Sequence, residues 1–366
     1  MVKPNSHLLE IARDTDILPE QENIVCLDRN ERISVFEDLE FQSMLGKFSP
    51  SLFSSYPKLG SLYQRLQQTL DLPIESITVG AGSDGIIRRA FHAFLSPNDI
   101  VVALQPTYGM YEVWAKIFQA DFQTINYREA SGKFYFDLDE LISRIACGAK
   151  ICCIANPDQP TGHALDQKTL RQIATACTEH NALLLIDEAY YPFYPATAKS
   201  LVHDFDNILI IRTFSKAGGI AGLRVGYAFG VPALISALNI VRGPGEVNAA
   251  GAAIASHLLD NPHIMTNFCA NAEKGRDILI RTSNDLGFFS PICHGNFQLL
   301  KCPTNIKPTD IIDELIARGF AIKDVSSHQC LKGYVRVTLD HPKIMNIFCK
   351  ALSQAMESLS TQRKVI

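Results

Sequence analysis

The sequence predicts an α/β protein: a mainly parallel sheet held between helices, followed by a smaller α+β unit. Three observations carry this reading. First, short uninterrupted apolar runs recur at Ile77-Thr78-Val79, Ile100 to Leu104, Ile151 to Ala155, Ala182 to Ile186 and Ile208 to Ile211. Strands covered by helices on both faces have this character, because neither side of the strand meets water. Second, the intervening stretches show helical spacing, as in 83–95, where positions 86, 87, 90, 91, 94 and 95 are apolar. Third, the rhythm changes after about residue 245. Long helical stretches, 249–260 and 263–284, then precede strands at Phe297 to Leu300 and Tyr334 to Leu339.

In chain order, residues 1–50 read as an arm, since charge and isolated apolar residues mix there without sustained periodicity. A large domain is expected over 51–245 and a small C-terminal domain over 246–366. Ser83 is placed to cap the helix that it begins. Pro97-Asn98-Asp99 is a turn. Met110 to Phe118 and Gln167 to Glu179 are helices, and Phe122 to Ile125 is a strand.

Composition narrows the classes of function. With 366 residues, 47% of them hydrophobic, the chain can bury a sizeable core. A formal net charge of −4, without basic runs interleaved with aromatics, argues against a nucleic-acid binder. No apolar stretch reaches the length of a membrane span, and the first sixteen residues are too charged for a signal peptide. The ten cysteines form no CxxC pair and read as reduced, mostly buried thiols of a cytoplasmic protein.

Ligands of open α/β sheets gather at the carboxyl ends of strands, and four polar features fall at such ends. Gly80-Ala81-Gly82-Ser83-Asp84 can cradle a phosphate with its helix-start amides, or simply cap a helix. Asn156-Pro157-Asp158-Gln159-Pro160-Thr161-Gly162 is a turn, or a rigid support for the Asn156 amide. Asp187 closes a buried strand, where a carboxylate is costly unless paired. It serves as a loop cap, as a metal ligand (no His/Cys/Glu cluster supports this) or as the partner of a protonated pyridine nitrogen. Opposite charges about 4 Å apart at an effective dielectric near 20 attract by roughly 4 kcal/mol, about 3 pKa units. That is enough to keep a weakly basic pyridine protonated. Lys216 lies among small residues with Arg224 eight positions on. It is an exposed loop lysine, or an amine that forms an imine with a phosphate-bearing aldehyde.

Taken together, these segments resemble the fold-type-I pyridoxal-phosphate aminotransferases, and within them the histidinol-phosphate aminotransferases. The matching stretches are Gly82-Ser83-Asp84, Gln105-Pro106-Thr107-Tyr108-Gly109-Met110-Tyr111, Asn156 to Gly162, Asp187-Glu188-Ala189-Tyr190 and Ser215 to Tyr227. The resemblance spans roughly residues 25–340 and implies a seven-stranded sheet in the large domain. It implies that pyridoxal 5'-phosphate is the cofactor, with Lys216 as Schiff-base lysine and proton shuttle and Asp187 at the ring nitrogen. Tyr190 and Asn156 would meet the ring hydroxyl oxygen, and Tyr108 the ring face. The amides of Ser83 and Asp84, with Thr213, Ser215 and Arg224, would hold the phosphate. Tyr56 would reach that phosphate from a neighbouring subunit, making the enzyme a homodimer with shared sites. Arg336, otherwise a solvent-facing strand arginine, would meet an acidic group of the substrate, and Lys323 would stand where the family holds a substrate phosphate.

Two departures concern the substrate. Leu27-Asp28-Arg29-Asn30-Glu31-Arg32 is similar to the family's LDxNEN arm motif but lacks the usual proline and nearby aromatic. Gly218-Gly219 replaces the bulkier residues common after the lysine. The implied reaction moves an amino group from a donor, histidinol phosphate or another acidic or phosphorylated amine, to a 2-oxo acid such as 2-oxoglutarate. A pyridoxal-phosphate decarboxylase similar to threonine-phosphate decarboxylase is the alternative. A non-catalytic binding or regulatory protein on the same fold is the reading from another class.

Overall fold

The computed structural model describes residues 2–11 and 23–362. Its apolar runs form a seven-stranded sheet in the order β1-β7-β6-β5-β4-β2-β3. The strands are β1 (Ile77–Gly80), β2 (Ile100–Gln105), β3 (Asp121–Asn126), β4 (Ala149–Ala155), β5 (Leu183–Asp187), β6 (Ile208–Thr213) and β7 (Gly226–Phe229). Only β7 runs against its neighbours.

Because side chains alternate along a strand, the strands other than β1 serve two cores. The helices that cover them include α1 (Gly60–Leu70), α2 (Gly82–Phe94), α3 (Met110–Ile117) and α4 (Gln167–Glu179). Leu62 and Leu66 of α1 and Leu170 and Ile173 of α4 belong to one core, with Val102, Cys152, Leu184 and Ile210. Ile87 and Phe91 of α2 and Tyr111 of α3 belong to the other, with Val101, Cys153, Leu185 and Ile211. Six of the ten cysteines, including Cys152 and Cys153, are buried.

After residue 245 come α5 (Ala249–Asp260) and α6 (His263–Asp285). The expected domain division falls ahead of α5, yet α5 packs on α1 and shares its core. A separate core lies between α6, α7 (Pro342–Gln362) and an antiparallel sheet of β8 (Phe297–Lys301), β9 (Lys323–Asp324) and β10 (Tyr334–Thr338), ordered β8-β10-β9. The arm joins this unit: Leu27 is fully buried in its core, and Val25 and Cys26 pair in parallel with Phe320 and Ala321. Among the described residues no helix is long and apolar enough to cross a membrane.

Candidate active site

The carboxyl ends of β4, β5 and β6 and the start of α2 open onto a cavity of about 250 Å³. Ser83, Asp84, Tyr108, Asp187, Tyr190, Thr213, Ser215, Lys216, Arg224 and Arg336 line it, and Arg29, Asn30 and Glu31 of the arm close one side. Buried parallel strands bring these distant residues together, because each ends at the same edge of the sheet.

One corner is built for an anion. Ser83 is not the expected cap: Ala81 holds that place and makes no side-chain cap, so the amides of the first turn of α2 keep their protons available to a ligand. Gly82 has φ +73°, and a Cβ there would lie 2.7 Å from Nη2 of Arg224. A Cβ on Gly226 would lie 2.6 Å from the Ser83 amide nitrogen. Only glycine allows these approaches. Thr213 Oγ1 donates to Ser215 Oγ at 2.9 Å, and Arg224 Nη1 donates to the same oxygen at 3.4 Å. The Asp84 carboxylate accepts from the Trp114 indole at 2.9 Å, which leaves its backbone amide as the group suited to an anion.

The opposite wall carries a buried carboxylate. Asp187 is 5% exposed and accepts from the Tyr111 hydroxyl and the Ala189 amide, each at 3.1 Å. Burial pushes its carboxyl up to about 6, against the opposing effect of those donors. Among the described residues it makes no salt bridge, and a buried carboxylate of this kind suits a cation. Tyr190 accepts from Asn30 Nδ2 at 2.9 Å and keeps its own proton to donate, its hydroxyl pushed up to about 12 chiefly by burial. Tyr108 packs edge-on against Tyr111, with ring centroids 5.6 Å apart. Asn156 is buried and its Oδ1 accepts from the Leu165 amide at 2.8 Å; its neighbours Ala155 and Pro157 line the cavity, whereas Asn156 stands behind them.

Lys216 sits between these walls. Its Nζ donates to the carbonyls of Asn30 at 3.0 Å and Arg29 at 3.3 Å. Burial, helped by Arg336 and Arg224 and opposed by Glu31 and Asp187, lowers its amine to about 8. At pH 7.5 roughly a quarter of such an amine is neutral, against about one in a thousand for an ordinary lysine. Only the neutral form is a nucleophile.

Arg336 is 5% exposed, so it is not the solvent-facing alternative. Its Nη2 donates to the Asp28 carbonyl at 2.6 Å, and its Nε is buried without a partner. Lys323 stands opposite it in the β9–β10 ladder, but its side chain is exposed and lies outside the cavity lining. Tyr56 is 91% exposed and borders a different hollow, with Ser49, Leu52 and Ala253. Residues without an expected role also take part. Tyr111 holds Asp187, and buried Asp158 accepts at 2.7 Å from both Thr107 and Thr161, tying the loop before Tyr108 to the loop after Asn156.

The family described as "Aminotransferase class I and II" matches residues 55–352, and the chain belongs to it: this is a pyridoxal-phosphate-dependent aminotransferase of fold type I. Within that class it is histidinol-phosphate-aminotransferase-like. The histidinol-phosphate aminotransferase of Thermoanaerobacter pseudethanolicus is 31% identical over 288 residues, covering 77% of this chain and 78% of that protein. The crystal structure of the Sinorhizobium meliloti histidinol-phosphate aminotransferase in complex with pyridoxal-5'-phosphate superposes with a TM-score of 0.86 at 22% identity, covering 98% and 99% of the two chains. L-threonine-O-3-phosphate decarboxylase from Porphyromonas gingivalis shares the fold, with a TM-score of 0.76 at 20% identity and coverage of 91% and 100%. The residues present fit the cofactor on two counts: a buried carboxylate awaits a cation, and a glycine-walled corner with amide, hydroxyl and guanidinium donors suits a phosphate.

Proposed function

We propose that this enzyme takes the amino group of an acidic, phosphorylated amine of the histidinol phosphate type and delivers it to a 2-oxo acid such as 2-oxoglutarate. The observation that carries the reading is Arg336: a buried guanidinium that lines the same cavity as Lys216. A planar fork of this kind suits a carboxylate or phosphate. Lys323, across the ladder from it but exposed outside the cavity lining, would meet only a donor group that reaches beyond the cavity.

Pyridoxal phosphate, when bound, supplies an electrophilic aldehyde and an electron-accepting ring. Asp187 is assigned to its ring nitrogen, Tyr190 and Asn156 to its hydroxyl, and Tyr108 to its face. The Ser83 and Asp84 amides with Thr213, Ser215 and Arg224 are assigned to its phosphate. Lys216 Nζ, with its proton held loosely, can take the proton from the donor's α-carbon and later return it. Arg336 fixes the donor so that this carbon faces Nζ, and the arm residues 29–31 keep water from that side.

A donor panel tests the substrate. Histidinol phosphate should convert the bound cofactor to its amine form, seen by absorbance, faster than glutamate does. No conversion by any phosphorylated or acidic amine would overturn the proposal, and carbon dioxide release without a keto product would favour decarboxylation instead.

The proposal includes a cytoplasmic homodimer in which Tyr56 of each subunit reaches the other's phosphate corner. Exposed Phe53 and Tyr56 give that face its apolar character. Tyr56→Phe should weaken cofactor retention about tenfold, the scale of one hydrogen bond to a charged group. A monomer by light scattering, with full activity, would sink the shared site.

A further inference from the structure

Arg32 belongs to none of the roles above, yet its surroundings are unusual. Its guanidinium carbon lies 3.9 Å from the ring centre of Phe36 and 4.8 Å from that of Phe268. Its Nε donates to the Ser34 carbonyl at 3.0 Å. Its stem rests on Gly219, where a Cβ would lie 2.6 Å from Arg32 Cδ and 3.2 Å from Phe36 Cζ. Gly219 also has φ +67°, and its amide donates to the Lys216 carbonyl at 3.0 Å, closing the turn that begins at the lysine. Two oddities of the sequence, an arginine in the arm and a glycine after the lysine, are therefore one contact.

Most of the arm's other anchors lead elsewhere. Asn30 N donates to Thr338 Oγ1 at 3.0 Å, and the Ile33 and Ser34 amides donate to Asp340 Oδ2 at 2.7 and 3.2 Å. These bonds tie the arm to the C-terminal unit. The Lys216 amine also bonds the arm, but it must leave those carbonyls to react. The Arg32 stem ties the arm to the same turn by a contact that the chemistry leaves in place.

We propose that Arg32 is a positioning residue for the amino donor. Clamped between two phenyl rings and seated on Gly219, it fixes arm residues 29–31, which wall the cavity, relative to Lys216. Glycine is needed at 219 to admit the arginine stem. The inference rests on the cavity around Lys216 being the active site.

The test uses the full-length enzyme, with and without cofactor. Arg32→Ala should raise KM for the amino donor about tenfold with kcat within about threefold, the scale of a two-ring cation–π clamp. Amide hydrogen exchange at Asn30, Ile33 and Ser34 should quicken in both forms. Gly219→Ala should impair donor binding more in wild type than in the Arg32→Ala background, where the stem is absent; strictly additive effects would overturn the coupling. Unchanged KM with unchanged exchange would overturn the positioning role. Should Arg32→Ala fail to fold, Arg32→Lys decides, since it keeps the stem and charge but loses the planar stack. A raised KM and faster exchange support the proposal, and wild-type values in both reject it. Loss of the active-site reading itself would show differently, as turnover retained by Lys216→Ala.

Discussion

Lys216→Ala is expected to abolish amino transfer and the absorbance of covalently held cofactor, leaving the fold intact. The side chain donates to two arm carbonyls, so its loss exposes acceptors that water can reach from the cavity. The chemical loss is far larger. Among the described residues no other lysine lines the cavity, and removing a nucleophile that also shuttles the proton commonly costs several orders of magnitude. Borohydride reduction of the wild-type enzyme followed by peptide mapping should place a pyridoxyl group on residue 216. Loading has a pH signature as well. Because the amine is lowered to about 8, covalent capture of pyridoxal phosphate by cofactor-free protein should accelerate as pH rises through about 8 and level off above it. Full turnover in Lys216→Ala, or an adduct on another residue, would refute the assignment.

Asp187→Asn is expected to lower kcat/KM by at least about a hundredfold, the scale of removing a preorganised electrostatic group. Cofactor retention should weaken with it. The sign of the accompanying stability change is opposite. The folded protein holds this carboxyl's proton up to about pH 6, whereas the unfolded chain releases it near 4. Cofactor-free wild type should therefore lose stability as pH rises from about 4 to 6, by about 3 kcal/mol in all. In Asp187→Asn that loss should be absent, so cofactor-free mutant at pH 7 should melt no lower than wild type. Thermal melts across pH, with and without cofactor, separate the two effects. Wild-type catalysis in the mutant would remove Asp187 from the ring nitrogen.

Much of this site is legible in the sequence because a parallel sheet gathers its polar strand ends at one edge. Asp187 stands out as a charged residue directly beyond an apolar run, and Lys216 as a lysine among small residues in the segment that follows another, and the structure sets both on one cavity. Ser83 misleads, since a serine at a helix start looks like a cap; here Gly82, in the left-handed region, lets the turn open instead and Ala81 takes the cap position. The strand-and-helix alternation that begins near residue 74 leaves α1 out, although Leu62, Leu66 and Leu70 recur every four residues, the mark of one helix face. The pairings are not legible. Asn30 meets Tyr190 across 160 residues of sequence, and Asp158 meets Thr107 across 51. Such contacts depend on how the layers stack, which local periodicity does not encode. The short helix Asp38–Leu45 escapes for another reason: only Met44 in it is buried, so its sequence carries little amphipathic signal.

The arm is stitched into the C-terminal unit by Leu27, by the Val25–Phe320 pairing and by the Asp340 carboxylate. Engineering at the front of the chain is therefore engineering of the catalytic chamber. A shortened variant starting beyond residue 34 would strip away part of the chamber wall and take from Asp340 Oδ2 both of its amide donors from the arm.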